Sequence, residues 1–255
     1  MISDQDAVIA VQPPTVLAEK GQIGFNNTIQ DVDQRVRRSL LYWTAQIQST
    51  AGQRKLHSQG TPPVTTHYES FALKIAQHYL KPLNITPEAA PGYHNPRALK
   101  LGKAILPPLK QSDGLYTRAD IGGYQILANY RGGAGHFQQV SVLDVLQGKV
   151  PADRLHNRIV LIGSVASSLK DSVATPFSTL NQDSPELMSG VELQANLISQ
   201  LLTGAIDGWG TFHPLPEWVE WVWIGVAAYW GTYISWRLRS PQKLLHRQSV
   251  HPGWG

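Results

Sequence analysis

The chain has 255 residues, with 42% hydrophobic and 16% charged residues and no cysteine. That composition suits a folded body with a sizeable core and excludes general disorder, a disulfide framework and a cysteine-ligated zinc site. The net charge of +4 belongs to Arg237, Arg239, Lys243 and Arg247, and the preceding 236 residues hold 18 basic and 18 acidic side chains, so a broad nucleic-acid-binding face is excluded.

In chain order, residues 1–12 carry neither a basic n-region nor a long apolar stretch, so no signal peptide is read there. Residues 8–11 and 22–25 read as short strands, and residues 14–19 as a turn or short helix after Pro13 and Pro14. A polar turn at residues 31–34 precedes a strand at 36–46, and residues 49–66 read as a surface loop. The apolar spacing of residues 70–80 predicts a helix limited by Pro82. Short strands are expected at 99–101, 104–106 and 124–130, then a glycine-rich loop and a short helix at 141–147. A turn at 153–155 precedes a buried strand at 159–162, and a helix at 191–202 stops at Gly204.

Residues 215–236 would span about 33 Å as a helix, enough for a bilayer core. Trp218, Trp221 and Trp223 at one end and Tyr233 and Trp236 at the other match the aromatic belts of a membrane segment. The basic residues beyond it predict a cytoplasmic tail at 237–255 and a body outside the membrane. The alternative is an aromatic helix lying on a membrane surface or covering the domain. The expected fold is therefore α/β, a mixed sheet with flanking helices in residues 1–208, followed by a single transmembrane helix at 215–236.

Candidate chemistry is sparse. Ser164, Ser167, Ser168, Asp171, His136 and His156 could be assembled into a hydrolase triad on paper, but no Gly-x-Ser-x-Gly elbow supports one. Residues 131–135 lack the spacing of a phosphate or dinucleotide loop, and the nine histidines form no metal-ligating pattern. The strand at 159–162, ending in small residues, suggests a crevice at its carboxyl end. Asp171 and Thr175 are the candidate ligand-binding residues there, faced by Tyr130 and Arg131. Against that stands a structural reading in which Asp171 caps a turn and Arg131 pairs with a carboxylate. Asp31, Asp33, Arg35, Arg37 and Arg38 form either a contact surface or a solvated turn.

Gly24–Phe25–Asn26, DVDQRVRRSLLY, SFALKIA, LANYRG, VSVLDVLQGKVP, RIVLIGSVASSLKDSVATPF and MSGVELQANLISQLL follow one another between Gln22 and Leu202. In that order they resemble the CHASE type-two family, the cyclase/histidine-kinase-associated sensory extracellular domains. The resemblance is strongest to cyanobacterial proteins that carry a CHAT protease-like module. It implies a bacterial, non-enzymatic extracytoplasmic sensor at the cell membrane, without cofactor, responding to a small molecule or other signal. The implied partners are the membrane and a cytoplasmic cyclase, kinase or CHAT-type module absent from this chain, with a homodimer as one assembly. Measured against the family pattern, the amino-terminal membrane helix and opening part are expected to be missing, as in a fragment. A serine hydrolase-like enzyme and a non-sensing structural domain are the competing readings.

Overall fold

The structure is a computed structural model that describes residues 14–47, 64–93, 95–114, 116, 119–178, 186–209, 212 and 217–237. The strand expected at 8–11 and most of the tail at 237–255 lie outside these residues. The chain divides into two units: residues 1–112 with 117–212, and residues 113–116 with 213–255.

The first unit is α/β. After a short helix α1 (Thr15–Glu19), the long strand β1 (Arg38–Ile47) is the spine of a sheet in the order β2-β1-β6, with β2 at Val64–Glu69 and β6 at Tyr124–Leu127. Both pairings are antiparallel, with Tyr42 opposite Glu69 and Arg38 opposite Leu127. The loop expected at 49–66 thus gives way to a strand at Val64. Pro62 and Pro63 suggest a break, but the Thr-rich VTTHYE stretch that follows suits a pleated ladder.

Helix α2 (Phe71–Leu80) begins where its residues demand it. The Ser70 hydroxyl caps the first turn by accepting from Leu73 N at 3.2 Å, and Ala72, Leu73, Ala76 and Leu80 line one buried stripe. A hairpin-based sheet follows, with β3 (Pro87–Ala89), β4 (Leu99–Leu101) and β5 (Ala104–Leu106) in order. Gly102, at φ 57°, opens the two-residue turn between β4 and β5, and its neighbour Lys103 donates its N–H to Ala205 O at 2.9 Å.

Helix α3 (Val142–Leu146), with Ser141 as its cap, sits within the predicted 141–147. A two-stranded ladder of β7 (Ser172–Val173) and β8 (Met188–Ser189) leads into α4 (Gly190–Asp207), which packs on α2. Leu41, Leu73, Leu101, Leu106, Met188, Leu193 and Leu201 form the fully buried centre of the core. Helix α4 outlasts the stop predicted at Gly204. That glycine is buried within the helix, and the left-handed cap is Gly208 at φ 82°.

Two expectations are corrected here. Residues 159–162 form no strand: Val160 is 53% and Ile162 84% exposed, while Ile159 and Leu161 are half-buried against the core. The apolar run predicts a buried strand, but among the described residues no ladder partner lies beside it, and a strand is stabilised only through such a ladder. The expected mixed sheet is likewise three small antiparallel sheets, with isolated parallel bridges at Phe25–Ser70 and Arg35–Ala174.

The second unit contains α5 (Glu217–Arg237), a helix where one is predicted. Among the described residues, however, no helix is long and apolar enough to cross a membrane. The physical reason is composition. Seven of the 21 residues of α5 are Trp or Tyr, each with a polar N–H or O–H, and Glu217, Glu220, Thr232, Ser235 and Arg237 add further polarity. Aromatic belts are present without enough aliphatic residues between them. The topology inferred from that span, including the cytoplasmic tail at 237–255, loses its support.

Candidate functional site

The polypeptide leaving β6 is the most chemically organised part of the molecule. Its last ladder pair is Arg38 with Leu127, and Ala128 N still donates to Arg37 O at 2.8 Å. The opposite edge is met by side chains of α4. Gln200 donates Nε2 to Leu127 O at 2.8 Å and accepts Asn129 N at 3.0 Å on Oε1. One turn earlier, Asn196 Oδ1 accepts Arg131 N at 2.9 Å. Two amides at i and i+4 on a helix thus satisfy alternate residues 127, 129 and 131, as a neighbouring strand would. An edge that would otherwise invite another chain is covered.

Beyond Asn129 the glycine-rich loop runs back along α4 toward its start. The Arg131 guanidinium donates to Ser199 Oγ, and from Nη2 to Thr203 Oγ1 at 2.7 Å. At the other end, the buried Glu192 carboxylate accepts from Phe137 N at 3.4 Å and from Gln139 Nε2 at 3.5 Å. Between these anchors the loop is tight. A Cβ on Gly132 would lie 2.6 Å from His136 Nδ1, and one on Gly133 would lie 3.3 Å from Phe177 Cβ. Glycine is required at residue 132 for this close approach.

The second loop, residues 171–178, meets the first through aromatic contact. The Tyr130 and Phe177 rings are 6.2 Å apart, edge to face. Tyr130 OH donates to Val36 O at 2.8 Å, and burial pushes its phenol well above the usual range. The Val36 N–H in turn donates to Ala174 O at 2.9 Å, so one peptide ties both loops to the start of β1. Thr175 is buried and shapes a turn: its N–H donates to Ser178 Oγ at 2.9 Å, and its Oγ1 accepts from Phe177 N at 3.3 Å.

The four candidate residues are therefore not gathered in one crevice. Tyr130 and the Thr175 turn are brought together through Phe177, and Arg131 lies along the latter half of α4. Asp171 stands at the start of α4, where its carbonyl accepts Gly190 N at 2.9 Å. Its carboxylate lies against Gly190 and would overlap any Cβ there. A negative group is favoured at that helix terminus. The expected pairing of Arg131 with a carboxylate is replaced by two hydroxyls. The crevice at the end of a parallel strand falls with the strand itself.

The charged segment at residues 31–38 is no solvated turn. Arg38, 6% exposed, pairs with Asp31 at 2.9 Å and donates to Asp120 O at 2.8 Å and Gln125 Oε1 at 2.9 Å. Arg37 bridges Asp31 at 3.0 Å and Asp33 at 2.6 Å. Gln34 takes φ 62° at the turn. For the hydrolase reading, the Ser164 hydroxyl accepts from Ala166 N at 3.3 Å, a local turn. Among the described residues, neither His136 nor His156 is hydrogen-bonded to it. Nor do three acidic or histidine side chains converge as a metal would require.

Residue-by-residue reading of the sequence missed Glu192, Asn196, Ser199, Gln200 and Thr203. A signal existed: polar residues at i, i+4, i+7 and i+11 form a stripe on a helix otherwise read by its apolar face. Comparison with known proteins adds a family. The family model described as the CHASE2 domain matches residues 2–233, beyond the 22–202 covered by the resembling blocks. No curated protein and no solved structure matches the chain.

Proposed function

The chain belongs to the CHASE2 domain family, a family of sensory domains found in signalling proteins, and on that premise we propose that it is an extracytoplasmic input domain. Its state is passed to a cytoplasmic output module of the cyclase, kinase or CHAT type carried outside this chain. Residues 1–208 form the sensor body in this reading, and 215–236 form a helical segment leading away from it. The domain acts by binding and coupling, with no catalytic step of its own.

One observation supports this reading above the others. The loop at 128–139 is fastened to α4 by side chains, through Gln200, Asn196, Ser199, Thr203 and Glu192, and not by a backbone ladder. Side-chain latches can be exchanged for ligand groups at modest cost, whereas a ladder cannot. A signal molecule that binds the Tyr130–Phe177 contact, with Arg131 or Thr175 as polar partners, would favour one arrangement of this loop over another. Only such differential affinity can shift the position of α4. Asp171, at the start of the same helix, would report on the same movement.

The test is a thermal-shift screen of the full chain against nucleotides, amino acids, sugars and dicarboxylates. A hit is then repeated on Arg131→Ala and Phe177→Ala. The reading expects a stabilising hit that both substitutions abolish. A hit unaffected by either variant would move the site elsewhere, and hydrolysis of any panel compound dependent on Ser164 would return the enzyme reading.

A further inference from the structure

The segment between the glycine-rich loop and Asp171 presents an apolar surface to solvent. Helix α3 has no buried residue, and Val142, Leu143, Val145 and Leu146 are 39% to 79% exposed. Val160 and Ile162 stand outward from the extended run, while Ile159 and Leu161 turn toward the core. Among the described residues, no backbone hydrogen bond reaches residues 159–163.

The two stretches leave the body close together. Gln139, just before α3, contacts Glu192, and Gly163 is so near Val191 that an added Cβ would lie 2.6 Å from Val191 Cβ. Both therefore spring from the first turn of α4. Exposed apolar patches beyond a few hundred Å² mark interaction sites in folded proteins.

We propose that this face binds a second copy of the chain, with the two 159–163 segments pairing antiparallel across a two-fold axis and the α3 helices flanking them. Three observations favour that occupant. The outward aliphatic side chains of residues 140–169 present roughly 900 Å², on the scale of the ~800 Å² each partner contributes to a standard interface. The charges of that stretch are mixed, with Asp144 already paired to Lys149 at 3.6 Å, so the surface does not repel itself. Finally, an unpaired apolar segment meeting its own copy about a two-fold axis satisfies both backbones with one isologous contact. This inference does not depend on the sensory reading.

Sedimentation velocity on the full chain over a dilution series tests it, with Leu146→Lys and Ile162→Lys as the variants. Both positions are exposed, and circular dichroism checks that each variant folds. The expected result is a dissociable dimer weakened by ~10-fold or more in each variant. In the unsubstituted chain, amides 160–163 should exchange more slowly in the dimer than in the diluted monomer. A monomer at all concentrations overturns the proposal. So does a dimer indifferent to both substitutions, which would place association in α5. Binding of the monomer to lipid vesicles that both substitutions abolish, or exchange at 160–163 that rises in the monomer when residues 1–13 are deleted, would give the face a different occupant and equally overturn it.

Discussion

Arg38 illustrates how one buried cation is made tolerable. Its guanidinium faces the Asp31 carboxylate, the Asp120 carbonyl and the Gln125 amide oxygen, so its donors have acceptors in place of lost water. Arg38→Ala should lower unfolding free energy by about 3–5 kcal/mol, read as a fall in the urea midpoint at unchanged slope. Asp33 behaves differently because it is exposed. The hydrogen bond from Arg37 holds its carboxyl down at about 2 against an ordinary 3.8. A depressed carboxylate stabilises the fold above the unfolded value and loses that contribution as pH falls from 3.8 toward 2. Asp33→Asn should therefore flatten the acid limb of the stability curve. At the other extreme, burial raises Tyr42 and Tyr124 to about 12 from 10.0. The unfolded chain then ionises first, so stability is retained below pH 10 and lost progressively between pH 10 and 12. Tyr124→Phe should reduce that alkaline loss. It should also cost about 1–3 kcal/mol, because Leu99 N and Leu106 O lose a partner held at 2.8 and 2.6 Å.

At the level of elements, the amide pair on α4 governs where β6 ends and the loop begins. Gln200→Ala removes the partner of both Leu127 O and Asn129 N, and should destabilise the chain by about 1–3 kcal/mol while increasing proteolysis within residues 128–139. What the sequence made legible follows the same logic. Helix α2 and strands β4 and β5 could be read because their signals are local: a serine cap, an apolar stripe, a glycine turn. Residues 159–162 could not, because an apolar run states a preference for burial without stating whether a partner is present. The latch on α4 was hidden for a related reason, since Gln200 and Asn196 find their acceptors and donors some seventy residues away in the chain. Of the candidate site, Tyr130 and Thr175 are joined through Phe177, which no spacing rule picks out. In α5 the aromatic positions were read correctly as a pattern, but their polar atoms outweigh it as a measure of hydropathy.

Across the whole molecule, the account is one of coupling. The start of β1, the loops at 128–139 and 171–178, and helix α4 share hydrogen bonds at Val36, Arg131 and Gly190, so a change at either loop has a defined route to the helix. Family membership supplies the sensory setting, and the side-chain latch supplies a mechanism that such a setting can use. Amide hydrogen exchange on the full chain, compared between the unsubstituted protein and Gln200→Ala, tests that mechanism most directly. The account predicts faster exchange both in residues 128–139 and in the latter half of α4, with the β4–β5 hairpin unchanged. Faster exchange confined to the loop, with α4 as protected as before, would contradict it.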